Sequence, residues 1–142
     1  MSEFRLSWRF ERRSARRYPD ERDGAYIQDI LDLIEWANGD AKKTKWGKIR
    51  AESGHPKPFN LKYIGIGNED LITDVFEERF TMIYLAIKEK YPEIIVVGTV
   101  GPFNEGTDYV EGWKLADKLG VPMVDEHYYQ SPGWFLHKSG LL

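Results

Sequence analysis

The 142-residue sequence contains no cysteine, so disulfides, thiolate metal sites and a cysteine nucleophile are excluded. It has no apolar run near the ~18 residues that a membrane span requires, and no membrane partner is expected. The opening Met1-Ser2-Glu3-Phe4-Arg5 lacks the apolar stretch of a signal peptide, which leaves location open. Charge of one sign is missing too. Lys and Arg total 20, Asp and Glu total 23, and the net charge is −3. No global basic field marks a nucleic-acid binder. Histidine is scarce, at three residues, and none has a second His at i+3 or i+4, so no metal site is expected. What is present suits a packed core: 42% apolar and 14% aromatic residues. The length fits one ordinary domain. It falls short of the roughly 250 residues of a complete eight-stranded β/α barrel.

Composition breaks near residue 24. Residues 1–23 hold seven Arg and no Lys, with a net charge of +2; the remaining 119 residues hold two Arg and eleven Lys, with a net charge of −5. Residues 1–23 are expected to be a separate, disordered Arg-rich segment, and residues 24–142 the folded unit. A basic arm for nucleic acid and a non-native coding stretch are the other two readings.

Beyond Gly24, helical and strand patterns alternate. Tyr26, Ile27, Ile30, Leu31, Ile34 and Ala37 recur at helical spacing and predict a helix over Ala25–Ala37. Asp40–Phe59 reads as a long polar loop. Leu61–Ile66 is an apolar run expected to be a buried strand. Asp74–Lys90 is the clearest amphipathic helix, with Asp74 as candidate cap and Pro92 beyond its end. Ile94–Val97 predicts a second strand, Tyr109–Leu119 a third helix stopped by Gly120, and Val121–Tyr128 contains a third strand. Ser131-Pro132-Gly133 then reads as a turn. Strands alternating with helices imply an α/β fold with a parallel sheet. Ligands of such sheets sit beyond the C-terminal strand ends.

The first strand end reads Gly67-Asn68-Glu69-Asp70. A carboxylate leaving a buried strand is expected to be partly desolvated, with its pKa raised toward that of a general acid. The competing reading is that Glu69 or Asp70 merely caps the next helix. The second end, Gly98-Thr99-Val100-Gly101-Pro102, lacks a complete phosphate motif and reads as a turn. The third end, Asp125-Glu126-His127-Tyr128-Tyr129, followed by Trp134-Phe135, gathers acids, a histidine and aromatics. Such a set suits a sugar, whose ring offers both C–H faces and hydroxyls. Strand alternation sends Glu126 and His127 to opposite faces, and His127 is expected to face the site.

These residues carry a resemblance. Leu61-Lys62-Tyr63-Ile64-Gly65-Ile66-Gly67-Asn68-Glu69-Asp70 resembles the fourth-strand signature of glycoside hydrolase family 51, the retaining α-L-arabinofuranosidases. Asp125-Glu126-His127-Tyr128-Tyr129 and Ser131-Pro132-Gly133-Trp134-Phe135 resemble that family's sixth strand and following loop. Trp36-Ala37-Asn38-Gly39 and Trp46-Gly47-Lys48-Ile49-Arg50-Ala51-Glu52 resemble its segment before the acid/base strand. The resemblance covers about residues 26–135.

The resemblance implies a partial TIM (β/α)8 barrel of about three parallel strands, roughly strands 4 to 6. It implies hydrolysis of terminal non-reducing α-L-arabinofuranosyl residues, with arabinose-bearing oligosaccharide or polysaccharide as partner. Glu69 is then the acid/base, and Asn68 binds the sugar's 2-hydroxyl. His127, Tyr128, Tyr129 and Trp134 line the subsite, and residues 38–60 lie beside the substrate. No cofactor is implied, and the parent enzyme is expected to be a homo-oligomer. The family's nucleophilic Glu follows a seventh strand, which this chain does not reach, so the isolated chain is expected to be inactive. A non-catalytic sugar-binding remnant is the second reading. A small nucleotide-binding domain is a distant third.

Overall fold

The structure, a computed structural model, describes residues 4–6 and 21–138, with side chains from Asp23 onward. Its elements run β1 (Phe4–Leu6), α1 (Glu21–Asn38), α2 (Lys45–Glu52), β2 (Tyr63–Ile66), α3 (Asp74–Lys90), β3 (Ile95–Thr99), α4 (Thr107–Leu119), β4 (Met123–Asp125) and α5 (Pro132–His137). The four strands form one sheet in the order β1-β2-β3-β4, and every pairing is parallel. The α/β fold with three parallel strands is therefore present as β2, β3 and β4. Four strands are half of an eight-stranded barrel.

Alternation along β2 and β3 builds the core. Ile64 and Ile66 point to one face, in register with Val96 and Gly98. That face buries Ile30 and Ile34 of α1, Phe76, Phe80, Ile83 and Ile87 of α3, and Leu115 of α4. Phe80 stacks between Phe76 and Tyr84, at ring distances of 5.7 and 6.3 Å. Gly98 makes room for it, since a Cβ there would lie 3.0 Å from the Phe80 ring. At about 1.5–3 kcal/mol for each large apolar side chain buried, this layer is what joins sheet to helices.

Several sequence expectations need correction. Phe4–Leu6 is a strand inside the segment read as a disordered arm; residues 1–3 and 7–20 of that segment lie outside the described residues. The boundary drawn at Gly24 falls inside α1, which begins four residues before the expected Ala25. Its first turn is held by Asp23, 5% exposed, which pairs with Arg79 of α3 at 3.0 Å. The stretch 40–59 is not all loop, because α2 lies within it. Thr44 caps α2 by accepting from the Gly47 N–H at 3.1 Å. Gly47 is no helix breaker here but a contact point: a Cβ would sit 2.5 Å from the Asp40 carbonyl oxygen. The cap of α3 is Thr73, whose hydroxyl accepts from the Phe76 N–H, and not Asp74. Gly98 lies within β3 instead of ending it. Ser131-Pro132-Gly133 opens α5, with Ser131 as cap and Pro132 in the first turn.

Residues 38–60 lie at the opposite end of the sheet from Glu69. Asn38 binds both backbone groups of Leu61 at 2.7 and 2.8 Å, and Leu61 precedes the first residue of β2. Glu69 follows the last residue of the same strand. The expectation that this segment borders the substrate is therefore overturned. Helix α1 carries the chain back to the N-terminal strand ends, and α2 packs there against α1.

Candidate active site

The end of β2 turns sharply. Gly67 has φ of 85°, and Glu69 has φ of 58°, a left-handed conformation uncommon for a non-glycine residue. Such strain persists where the surroundings enforce it, and it gathers at functional sites. Here Asp70, 9% exposed, folds back so that its Oδ2 accepts from the Asn68 N–H at 2.9 Å. Burial raises the pKa of Asp70. Neither Glu69 nor Asp70 caps α3, so the capping alternative does not hold.

Glu69 meets the residues after β4. Its Oε1 lies 2.7 Å from His127 Nδ1 and accepts from the Tyr129 hydroxyl. On its other side, His127 Nε2 lies 3.1 Å from Asp125 Oδ2. The side chains continue the alternation of β4 past its end: Asp125, His127 and Tyr129 project one way, and Glu126 and Tyr128 the other. His127 faces Glu69 while Glu126 does not. The Glu126 Oε1 instead accepts from Tyr109 Oη at 2.9 Å and Trp113 Nε1 at 3.0 Å, both on α4, and Oε2 accepts from the Tyr128 hydroxyl.

The charge state corrects a further expectation. The pKa of Glu69 is lowered, not raised, first by the Tyr129 hydroxyl and then by His127, and these outweigh desolvation. His127 is raised above its usual 6.5, first by the hydrogen bond to Glu69, then by Asp125. Tyr129 is raised by donating to Glu69. Glu69 contributes stability above its unfolded pKa near 4.5, lost as pH falls through the lower folded value. His127 contributes fully below 6.5, and loses this as pH rises through its raised value. The pair therefore supports the fold most between those two values. Glu69→Gln is expected to bring the His127 titration midpoint, followed by imidazole NMR, back toward its usual value. An unchanged midpoint would show that the pair does not form.

The predicted site residues separate into two groups. Glu69, His127 and Tyr129 come together, with Asn68 adjacent on the same turn. Tyr128 and Trp134 pack on each other instead, with ring centroids 5.6 Å apart, on the side of Glu126. Sequence reading passed over Asp125 as a partner of His127, although spacing of two along a strand was the signal. It also passed over Phe103, 58% exposed, whose ring stands edge-on to Tyr129 at 6.3 Å.

The comparisons with known proteins decide the family. The family described as "Alpha-L-arabinofuranosidase 1 domain" matches residues 12–141. The chain belongs to the α-L-arabinofuranosidase family. Its match begins inside the Arg-rich segment, before the residue-26 start of the resemblance. An "Extracellular exo-alpha-L-arabinofuranosidase" of Streptomyces chartreusis is 52% identical over 114 residues, covering 80% of this chain and 14% of that protein. "Alpha-L-arabinofuranosidase 2" of Arabidopsis thaliana is 38% identical over 90 residues, covering 61% and 13%. This arabinofuranosidase-family chain thus spans about a seventh of the length of those relatives. Among solved structures, an arabinose-bound GH51 α-L-arabinofuranosidase superposes with a TM-score of 0.59 at 26% identity, covering 85% of this chain and 18% of that one. A family 51 arabinofuranosidase of Bifidobacterium longum gives 0.61 at 21% identity, covering 80% and 24%, which bears on the fold alone.

Proposed function

We propose that this chain carries the acid/base half of a retaining arabinofuranosidase site and binds terminal α-L-arabinofuranosyl groups of oligosaccharides or polysaccharides. One observation supports this most: Glu69 stands on a strained turn at a strand end, gripped by His127 and Tyr129. Glu69 is the general acid that protonates the leaving oxygen, and then the base that activates water. Asn68 binds the 2-hydroxyl. His127 and Tyr129 set the carboxyl's direction, and Tyr128 and Trp134 support them from behind.

A retaining mechanism needs a second carboxyl group about 5–5.5 Å from the first. Glu126 is committed to Tyr109 and Trp113 of α4 and to Tyr128, and Asp125 to His127, so neither serves as nucleophile. A second carboxylate facing Glu69 would raise its pKa toward that of a working acid. Neither Glu126 nor Asp125 takes that place, and the lowered pKa of Glu69 favours the ionised form, which cannot donate a proton. On this reading the chain by itself does not turn sugar over, and non-catalytic sugar binding is the behaviour to test in isolation.

The test combines sugar titration with a hydrolysis assay on 4-nitrophenyl α-L-arabinofuranoside. Saturable shifts of the His127 and Tyr129 resonances with arabino-oligosaccharides, and no turnover, are expected. A folded sample with no shifts would sink the binding. Turnover that survives in Glu69→Gln would remove Glu69 from its role; turnover lost in that variant would keep the role and refute inactivity.

A further inference from the structure

Residues 126–130 carry two of the three groups at the site, yet the sheet does not hold them. The β3–β4 ladder ends at Thr99 and Asp125, and the last backbone bond runs from the Val100 N–H to the Asp125 carbonyl at 3.5 Å. Residues 126–130 have no regular secondary structure. A free segment would not keep His127 within 2.7 Å of Glu69. Something else must fix it.

Glu126 is placed to do so. Tyr109 and Trp113 lie one helical turn apart on the same face of α4, so their polar atoms converge on one carboxylate oxygen, at 2.9 and 3.0 Å. The other oxygen takes the Tyr128 hydroxyl. That hydrogen bond pushes the Tyr128 pKa up to about 12, so the phenol keeps its proton and stays a donor through neutral pH. Hydrogen bonds to a charged acceptor are shorter and stronger than neutral ones. Tyr128 in turn packs on Trp134 in the first turn of α5, where Ser131 caps the helix. The segment is thus tied to α4 by Glu126 and to α5 by Tyr128. His127 and Tyr129 flank Tyr128 and follow Glu126 in the chain while facing the opposite side, so fixing Glu126 and Tyr128 limits where His127 and Tyr129 can lie.

We infer that Glu126 is a positioning residue: it pins the segment after β4 to α4 and so sets His127 and Tyr129 against Glu69. The inference rests on the reading of Glu69 as acid/base for its functional meaning, though not for its geometry. The groups facing His127 are Glu69, Asp125 and the Tyr129 ring, so its titration reports directly on that alignment.

The experiment follows the His127 titration midpoint by NMR in the full chain, in Glu126→Ala, in Glu126→Gln, and in the double variant Tyr109→Phe/Trp113→Phe. Folding of each is checked by near-ultraviolet circular dichroism. Glu126→Ala and the double variant are expected to lose most of the upward shift of His127. Glu126→Gln keeps an acceptor oxygen for α4 and is expected to retain at least half of it. The double variant leaves the Glu126 charge in place, so its loss reports position and not a missing negative charge. A merely structural Glu126 would lower the melting temperature and leave the midpoint of the folded protein unmoved; that result in Glu126→Ala and the double variant overturns the inference. Should Glu126→Ala fail to fold, the double variant decides. Absence of sugar binding alongside the expected midpoints would count against the proposed function and leave this inference standing.

Discussion

Arg50→Ala is expected to destabilise the chain more than any surface substitution, by about 2–6 kcal/mol. Arg50 is fully buried. Its guanidinium donates to the carbonyls of Trp36, Ala37, Gly39, His55 and Pro56, at 2.7 to 3.4 Å. These carbonyls come from the C-terminal end of α1 and from the turn after α2. A helix C-terminus carries partial negative charge, so a cation there is favoured. The Ala37 carbonyl also accepts from the Phe59 N–H and would keep that bond. The others, all part-buried, would lose a charged donor, and each carbonyl left unpaired there costs up to about 1–3 kcal/mol. Two such losses suffice for the stated range. Natural domains have only about 5–15 kcal/mol in total. Urea denaturation would show the midpoint collapsing in Arg50→Ala. Arg50→Lys should recover a small part, because an ammonium cannot reproduce the planar fork. An unshifted midpoint in Arg50→Ala would contradict the count of carbonyls held by this one side chain.

The second large effect is expected at Gly67. Its φ of 85° is open to glycine, and a Cβ there would lie 2.5 Å from Thr99 Cγ2 and 2.8 Å from Asp70 Oδ2. Thr99 is buried in β3 and cannot swing away. Gly67→Ala combines a left-handed penalty of about 1–2 kcal/mol with overpacking of about 1–3 kcal/mol. The clash also acts on function. Asp70 holds the Asn68 N–H at 2.9 Å, so displacing it loosens the turn that carries Asn68 and Glu69. Melting should fall by an amount matching that sum, and the His127 midpoint should drift toward its usual value. Wild-type melting with a wild-type midpoint would mean that the turn tolerates a side chain and that its geometry is not enforced by Thr99.

The sequence made the helices and central strands legible where periodicity was strong. Asp74–Lys90 matches α3 to the residue, because its apolar face repeats over many turns and both ends carry stop signals. Gly120 ends α4 in a left-handed cap, as its position implied. What escaped was decided by contacts distant in sequence. Helix α2 was hidden by Gly47, whose meaning is a close approach to Asp40. The early start of α1 depends on Arg79, more than fifty positions away. Ser131-Pro132 carried a legible helix start, but the following glycine drew the reading toward a turn. Strand alternation also separated His127, which meets Glu69, from Glu126, which meets α4. The direction of the Glu69 shift was not legible. Desolvation follows from a strand end, whereas the two donors that outweigh it arrive from residues some sixty positions later.

Each strand of the sheet lies beside the strand that precedes it in the chain, so spatial order and synthetic order coincide. Among the described residues no strand has to be inserted between two that have already paired. Every βα unit leaving the ribosome can dock on the edge left by the previous one, and the growing edge is always the newest strand. The two halves of the site are joined only when β4 is added, since Glu69 is in place before His127 is made. Assembly of the pair therefore waits for β4, and a nascent chain halted before residue 127 would carry the turn at Glu69 without its grip.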